Sequence, residues 1–252
     1  MNSFITVAGL SKCYGRNRAL TDLSFQVAQG VTYGLIGPNG AGKTTLMSIL
    51  AGLVSPTSGK ASIMGIEVAP NHPSLASVIG FSTPQLTFFD YLTGAEVLLG
   101  FGLMHGLRRA DVQVRTHDLI ALFDLGPASG QYLHQYSHGM RQKLGLACAL
   151  VHSPKVLLLD EPFTGLDPAS AYRLARTLRQ ACSNGKTVVL ATHDLSMAER
   201  LCDRVAILHQ GTLKCEMALP PTGREGAADG AGLTSLLWEV VGKPEFTELS
   251  WI

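Results

Sequence analysis

Apolar positions along the chain fall into two kinds of run. Short, nearly continuous apolar blocks stand at residues 156–159 and 187–191, the pattern of strands buried on both faces of a parallel sheet, and residues 31–36 read as a strand running straight into a glycine-rich loop. Residues 4–10, 24–27, 61–64 and 78–81 read as further strands, and residues 204–209 and 212–215 as a hairpin turning at Gln210-Gly211. Helical spacing governs residues 43–50, 93–123 and 169–182. It also governs the stretch after Ser137, where Met140, Leu144, Ala147, Cys148 and Val151 recur on one face. Strands thus alternate with helices at both ends while the middle is helical, which predicts an α/β sheet core with a helical subdomain inserted between its halves. Residues 220–232 (PPTGREGAADGAG) have the composition of a linker, and residues 233–241 predict a short terminal helix. No internal repeat is visible.

Composition narrows this picture. The chain has 252 residues, 46% hydrophobic and 15% charged, which suits one large domain with a well-buried core. The richest apolar stretch, residues 97–104, is broken by Gly100 and Gly102 and falls short of the roughly 18–20 residues of a membrane span. No secretory signal is expected at the N-terminus. A net charge of +1 and the lack of a Lys/Arg-rich run argue against nucleic acid as a partner. The five cysteines, Cys13, Cys148, Cys182, Cys202 and Cys215, show no CxxC spacing, so reduced thiols are expected rather than disulfides or a zinc site.

Chemistry enters at residues 37–44, GPNGAGKT. Gly37, Pro38, Asn39, Gly40, Ala41, Gly42, Lys43 and Thr44 satisfy GxxxxGK[ST] between a predicted strand and a predicted helix. Backbone N–H groups of such a loop converge on phosphate oxygens, the lysine reaches the β- and γ-phosphates, and the Thr44 hydroxyl suits Mg²⁺. The core is therefore expected to be a P-loop NTPase (RecA-like) sheet. Residues 156–162, VLLLDEP, deliver Asp160 and Glu161 to the carboxyl end of a buried strand, the edge where ligands bind. Asp160 suits the metal and Glu161 the polarising of an attacking water. Adjacent strand residues point to opposite faces, so both acids reach one site only if the chain turns after Asp160.

A second anion-facing feature lies about a hundred residues later, in YSHGMRQK, residues 136–143. Ser137 stands at an N-cap position and Gly139 permits close backbone approach; free N–H groups and the helix dipole favour an anion there.

Taken together these residues resemble the ATP-binding domain of ATP-binding cassette (ABC) transporters over about residues 4–215. GPNGAGKTT, which adds Thr45, resembles the family's Walker A; VLLLDEP its Walker B; TGLDP its D-loop; ATHD its switch-histidine loop; and YSHGMRQK its signature motif. Gln85 stands where the Q-loop glutamine is expected and Tyr14 where an aromatic packs on adenine. His138 and Met140 depart from the usual LSGGQ form. The resemblance implies an antiparallel β region beside the parallel core, a helical subdomain over about residues 86–146, and a cassette ending near residue 218 before a linker and short tail.

The same resemblance implies ATP and Mg²⁺ as ligands, with Lys43, Glu161 and His193 as catalytic residues. Thr44, Gln85 and Asp160 would serve the metal. Residues 37–45 would bind the nucleotide, with Tyr14 under its base and Ser137 and Gly139 supplied by a partner. It further implies head-to-tail pairing with a second ATP-binding subunit, identical or not, and work on a separate integral membrane permease from the cytoplasmic face. Asp167 would sit at the seam of that pair, while also suiting an N-cap before Pro168. Phe88, Phe89 and Tyr91 would receive the permease. The short tail resembles exporters of the ABC-2 branch. A soluble ABC-type ATPase acting on ribosomes or DNA is the rival reading, and the chain shows neither a second cassette nor basic arms.

Overall fold

A computed structural model describes residues 3–84, 90–220 and 231–242. Two sheets organise it. The first, antiparallel, has the order β2-β1-β4-β5, from β1 (Ile5–Tyr14), β2 (Asn17–Val27), β4 (Ser58–Ile63) and β5 (Ile66–Glu67). The second has the order β10-β9-β3-β8-β7-β6, from β3 (Thr32–Ile36), β6 (Ile79–Ser82), β7 (Val156–Asp160), β8 (Thr187–Thr192), β9 (Arg204–His209) and β10 (Thr212–Ala218). Its neighbours run parallel except at the β9–β10 hairpin.

The continuous apolar runs are explained by two cores, one on each face of the parallel sheet. Tyr33, Leu35, Val156, Leu158, Val189 and Ala191 pack with the antiparallel sheet and α1 (Lys43–Leu50). Their neighbours Ile36, Leu157, Leu159, Val188 and Leu190 pack instead with α5 (His138–Val151) and α6 (Pro168–Ser183). Period-two alternation sends every second side chain to the opposite core. Each strand therefore needs apolar residues at every position.

The helical middle expected over residues 93–123 consists of two helices. It is a hairpin of α3 (Gly94–Met104) and α4 (Arg109–Leu122). Gly106 takes a left-handed φ of 77°, which ends the first helix and reverses the chain. Thr93 opens α3 with a capping box to Glu96. Continuing from α5 into β7, the chain leaves the helical middle directly for the sheet.

Three differences have local causes. β2 begins at Asn17, well before residue 24, because Asp22 sits at a positive φ of 50° and shifts strand parity, so Leu20 and Leu23 both reach the core. α2 (Pro73–Val78) and α7 (Leu195–Leu201) are too short to show helical periodicity in sequence. The terminal helix, α8 (Ala231–Val241), lies against α7, with Leu233 buried and its N–H donated to Glu199 Oε1 at 2.9 Å. All five cysteines are free thiols.

Candidate nucleotide site

The parallel strands deliver their carboxyl ends to one edge, and the predicted chemistry gathers there. β3 runs into the glycine-rich loop, whose last glycine, Gly42, is left-handed (φ 103°) and N-caps α1. Lys43 is buried and folds back so that Nζ donates to the carbonyls of Gly37 at 2.6 Å and Pro38 at 3.2 Å. Burial pulls its pKa down, opposed by the negative charges of Glu161 and Asp160.

Asp160 closes β7, 2% exposed, and Thr44 Oγ1 donates to its Oδ2 at 2.7 Å. Its pKa is raised, first by burial and then by Glu161, against the Thr44 hydrogen bond and Lys43. Asp160 Oδ1 is buried and has no hydrogen-bond partner among the described residues. That orphaned acceptor, beside a threonine hydroxyl whose proton is already committed, is a donor set of hard oxygens that fits Mg²⁺.

Glu161 resolves the question of the paired acids. Its φ of 47° turns the chain after the strand, while its N–H still bonds Ala191 O at 2.8 Å. Its carboxylate thereby meets His193, with Nδ1 2.9 Å from Oε1, and accepts from Thr192 Oγ1 at 3.3 Å. Asp194 then caps α7 through Met197 N at 3.0 Å, fixing the direction in which the chain leaves His193.

A groove of about 540 Å³ spans this edge. Lys43, Thr44, Asp160, Glu161 and Tyr14 line it. Asn17, Arg18 and Ala19 from the start of β2, and Gln210 and Gly211 from the β9–β10 turn, also line it. These last five were missed in sequence. Asn17 to Ala19 follow Tyr14 across a tight turn and could have been found by that adjacency. Gln210 and Gly211 arrive from the far end of the chain and carry no local signal.

Ser137 and Gly139 do not line this groove. Ser137 caps α5, its hydroxyl accepting from Met140 N at 3.2 Å, and is exposed together with His138. A side chain at Gly139 would place Cβ 2.7 Å from Gly165 O, so glycine is required for the loop after Glu161 to lie against the helix start. Two neighbours strengthen that contact. Gln142 Nε2 donates to Glu161 O at 3.5 Å, and Lys143 Nζ meets Asp167 Oδ2 at 2.7 Å. Asp167 also caps α6 through Ser170 N at 2.8 Å, and its partners, Lys143 foremost, hold its carboxyl well below the usual carboxylate range. Gln85, Phe88 and Phe89 lie outside the described residues, whereas Tyr91 is exposed.

A strand, phosphate loop and helix, with an acid at the end of a strand two places away in the sheet, define a P-loop nucleoside triphosphatase. Comparison with known proteins narrows the class. The ABC transporter family model matches residues 20–164. The chain is 37% identical over 212 residues to the daunorubicin resistance ATP-binding protein DrrA3 of Streptomyces coeruleorubidus, covering 84% of this chain and 67% of that protein. It is 38% identical over 221 residues to the Nod factor export ATP-binding protein I of Bradyrhizobium diazoefficiens, covering 86% and 70%. Among solved structures, an ATP-binding subunit of an ABC transporter superposes with a TM-score of 0.81 at 32% identity, over 86% of this chain and 90% of that one. The dimeric post-hydrolysis state of the ATP-binding cassette MJ0796, bound to ADP and Pi, superposes with a TM-score of 0.79 at 25% identity, over 86% and 99%. The chain belongs to the ABC transporter family, as one of its ATP-binding, ATP-hydrolysing cassettes. It spans 60–70% of the length of the curated relatives it matches.

Proposed function

We propose that this chain is the ATPase subunit of an ABC exporter, pairing head to tail with a second ATP-binding subunit around two MgATP. It would drive a separate membrane permease from the cytoplasmic face. The observation that carries this reading is the separation of two phosphate-binding features. The groove gathers Lys43, Thr44, Asp160 and Glu161, with His193 held beside it by Glu161, while the capped helix start at Ser137 and Gly139 does not line it. A second copy, turned end to end, would bring that helix start to the γ-phosphate, where its free N–H groups and dipole stabilise the anion. Export is supported by the relatives, one named for drug resistance and one for Nod factor export. Among the described residues no helix is long and apolar enough to cross a membrane, which suits a subunit relying on a partner for the passage itself.

In this reading Tyr14 stacks on the base, and the backbone of residues 37–45 wraps the phosphates. Lys43, already held by two carbonyls, exchanges them for phosphate oxygens without leaving its buried position. Thr44 and Asp160, with Gln85, would hold Mg²⁺, which would supply neutralising charge for the phosphates. Glu161 takes the proton of the attacking water as its oxygen bonds the γ-phosphorus and the bond to the β–γ bridging oxygen breaks. His193, oriented by Glu161 through Nδ1, presents its other nitrogen to the γ-phosphate. The helical region, about residues 86–146, is the moving part, with the cassette ending near residue 218.

Glu161→Gln tests the reading. It keeps the shape of the site and removes the base, so MgATP should trap a stable dimer on size exclusion while ADP leaves monomers. A monomer at saturating MgATP would contradict it.

A further inference from the structure

We propose that Lys12 is a positioning residue for the nucleotide, acting through Tyr14. It braces the tyrosine ring from outside the groove so that the other face is ready for a purine base. This inference rests on the proposed role of Tyr14 as the base platform.

Lys12 and Tyr14 are two residues apart on β1, where side chains of that spacing share a face. The Lys12 ammonium lies 4.9 Å from the centroid of the Tyr14 ring, inside the roughly 6 Å reach of a cation–π contact. Lys12 is not itself free to wander. Its Nζ donates to Ser55 O at 2.7 Å, in the loop that follows α1. That loop is stitched to the same strand by Cys13 N to Thr57 Oγ1 at 2.9 Å and by Thr57 N to Ser11 O at 2.8 Å. The cation is thus anchored to the backbone that ends the phosphate-loop helix.

Tyr14 is 48% exposed and lines the groove, whereas Lys12 does not line it. An aromatic ring that exposed samples several rotamers, and a ligand stacking on it must bear the ordering entropy. A cation fixed against the ring removes that cost before the nucleotide arrives. Two ends of the nucleotide site are thereby tied together: α1 begins at the phosphates, and the loop beyond its last turn holds the residue that steadies the base platform.

The test compares two probes, ATP and inorganic tripolyphosphate, which carries the phosphates but no base. Lys12→Met, which keeps the apolar stem and removes the charge, should weaken ATP about two- to fivefold, the scale of one partly exposed cation–π contact. It should raise KM for ATP with kcat unchanged and leave tripolyphosphate affinity at the parent value. Lys12→Arg should restore ATP affinity. In a Tyr14→Ala background, Lys12→Met should have no further effect. Unchanged ATP affinity in Lys12→Met, while Tyr14→Ala weakens it, would overturn the brace alone. Equal weakening of tripolyphosphate, or a loss that persists without the tyrosine, would also overturn it. Unchanged ATP affinity in Tyr14→Ala would remove the platform reading and the inference together.

Discussion

The groove and the start of α5 are both assigned to phosphate in the proposed function, yet they are built in opposite ways. In the groove, Lys43 and Asp160 are buried, Thr44 is bonded to Asp160, and Glu161 is bonded to His193. The parallel strands hold these groups in register, and each charge already has an opposite charge or a hydrogen bond. At the helix start, Ser137 and His138 are exposed, and what is fixed is the backbone beneath them, through Gly139, Gln142 and Lys143. One region has its side chains held in place before a ligand arrives. The other is a rigid mount with an open face, which the proposed pairing would give to a second subunit.

Several substitutions would break or sharpen this contrast. The largest effect belongs to Glu161→Gln, which should lower ATP turnover by about 10²- to 10⁴-fold, the range for a general base, with ATP affinity retained in calorimetry. Lys43→Ala should abolish measurable ATP binding by the isolated chain, because Lys43 is the buried cation among the described residues lining the groove. Ser137→Arg should leave that binding intact and remove only MgATP-dependent association. Equal loss of nucleotide affinity in both variants would erase the distinction between the two regions.

A middle-sized effect is expected for Gly139→Ala. The added Cβ meets a backbone carbonyl at 2.7 Å, so the loop carrying Asp167 must shift. Turnover should fall while monomer ATP affinity stays, as read by steady-state kinetics beside calorimetry.

The smallest effect concerns pH. The rings of His105, at the end of α3, and His152, at the end of α5, stack with centroids 3.7 Å apart and nearly parallel planes. Burial lowers the pKa of both, and for His152, at about 4, His105, Lys186 and Arg115 add to the effect against a hydrogen bond to Ile79 O. The unfolded chain binds these protons near the ordinary histidine value of about 6.5, so the pair's contribution is fully present above that pH. It is lost as pH falls toward about 4. The melting temperature should drop by a few degrees across this window, and His105→Leu should flatten the drop. Identical pH profiles for parent and variant would remove the pair from the account.

What could be read in the sequence follows the same division. β7 and β8 were legible because burial on both faces leaves continuous apolar runs, and the phosphate loop because its residues are contiguous. The left-handed turn at Glu161 that brings it to His193 could be posed as a requirement but not seen, since no glycine marks it. The full length of β2 was hidden by the parity shift at Asp22. The break near Gly106 coincides with the polar stretch Arg108-Arg109-Ala110-Asp111 that separates the two apolar-periodic segments. Gln142 against the Glu161 carbonyl, Lys143 against Asp167 and the β9–β10 turn in the groove join distant segments, and nothing local announces such contacts.

The central claim is that the groove is completed by another subunit's helix start, and a mixing experiment tests it most directly. Lys43→Ala and Ser137→Arg chains, each inactive alone, would form a heterodimer in which one groove has its lysine and faces an unaltered Ser137. ATP turnover should reappear on mixing and peak near equal amounts of the two chains. Absence of turnover at every ratio, with both chains folded and the heterodimer present, would contradict the claim.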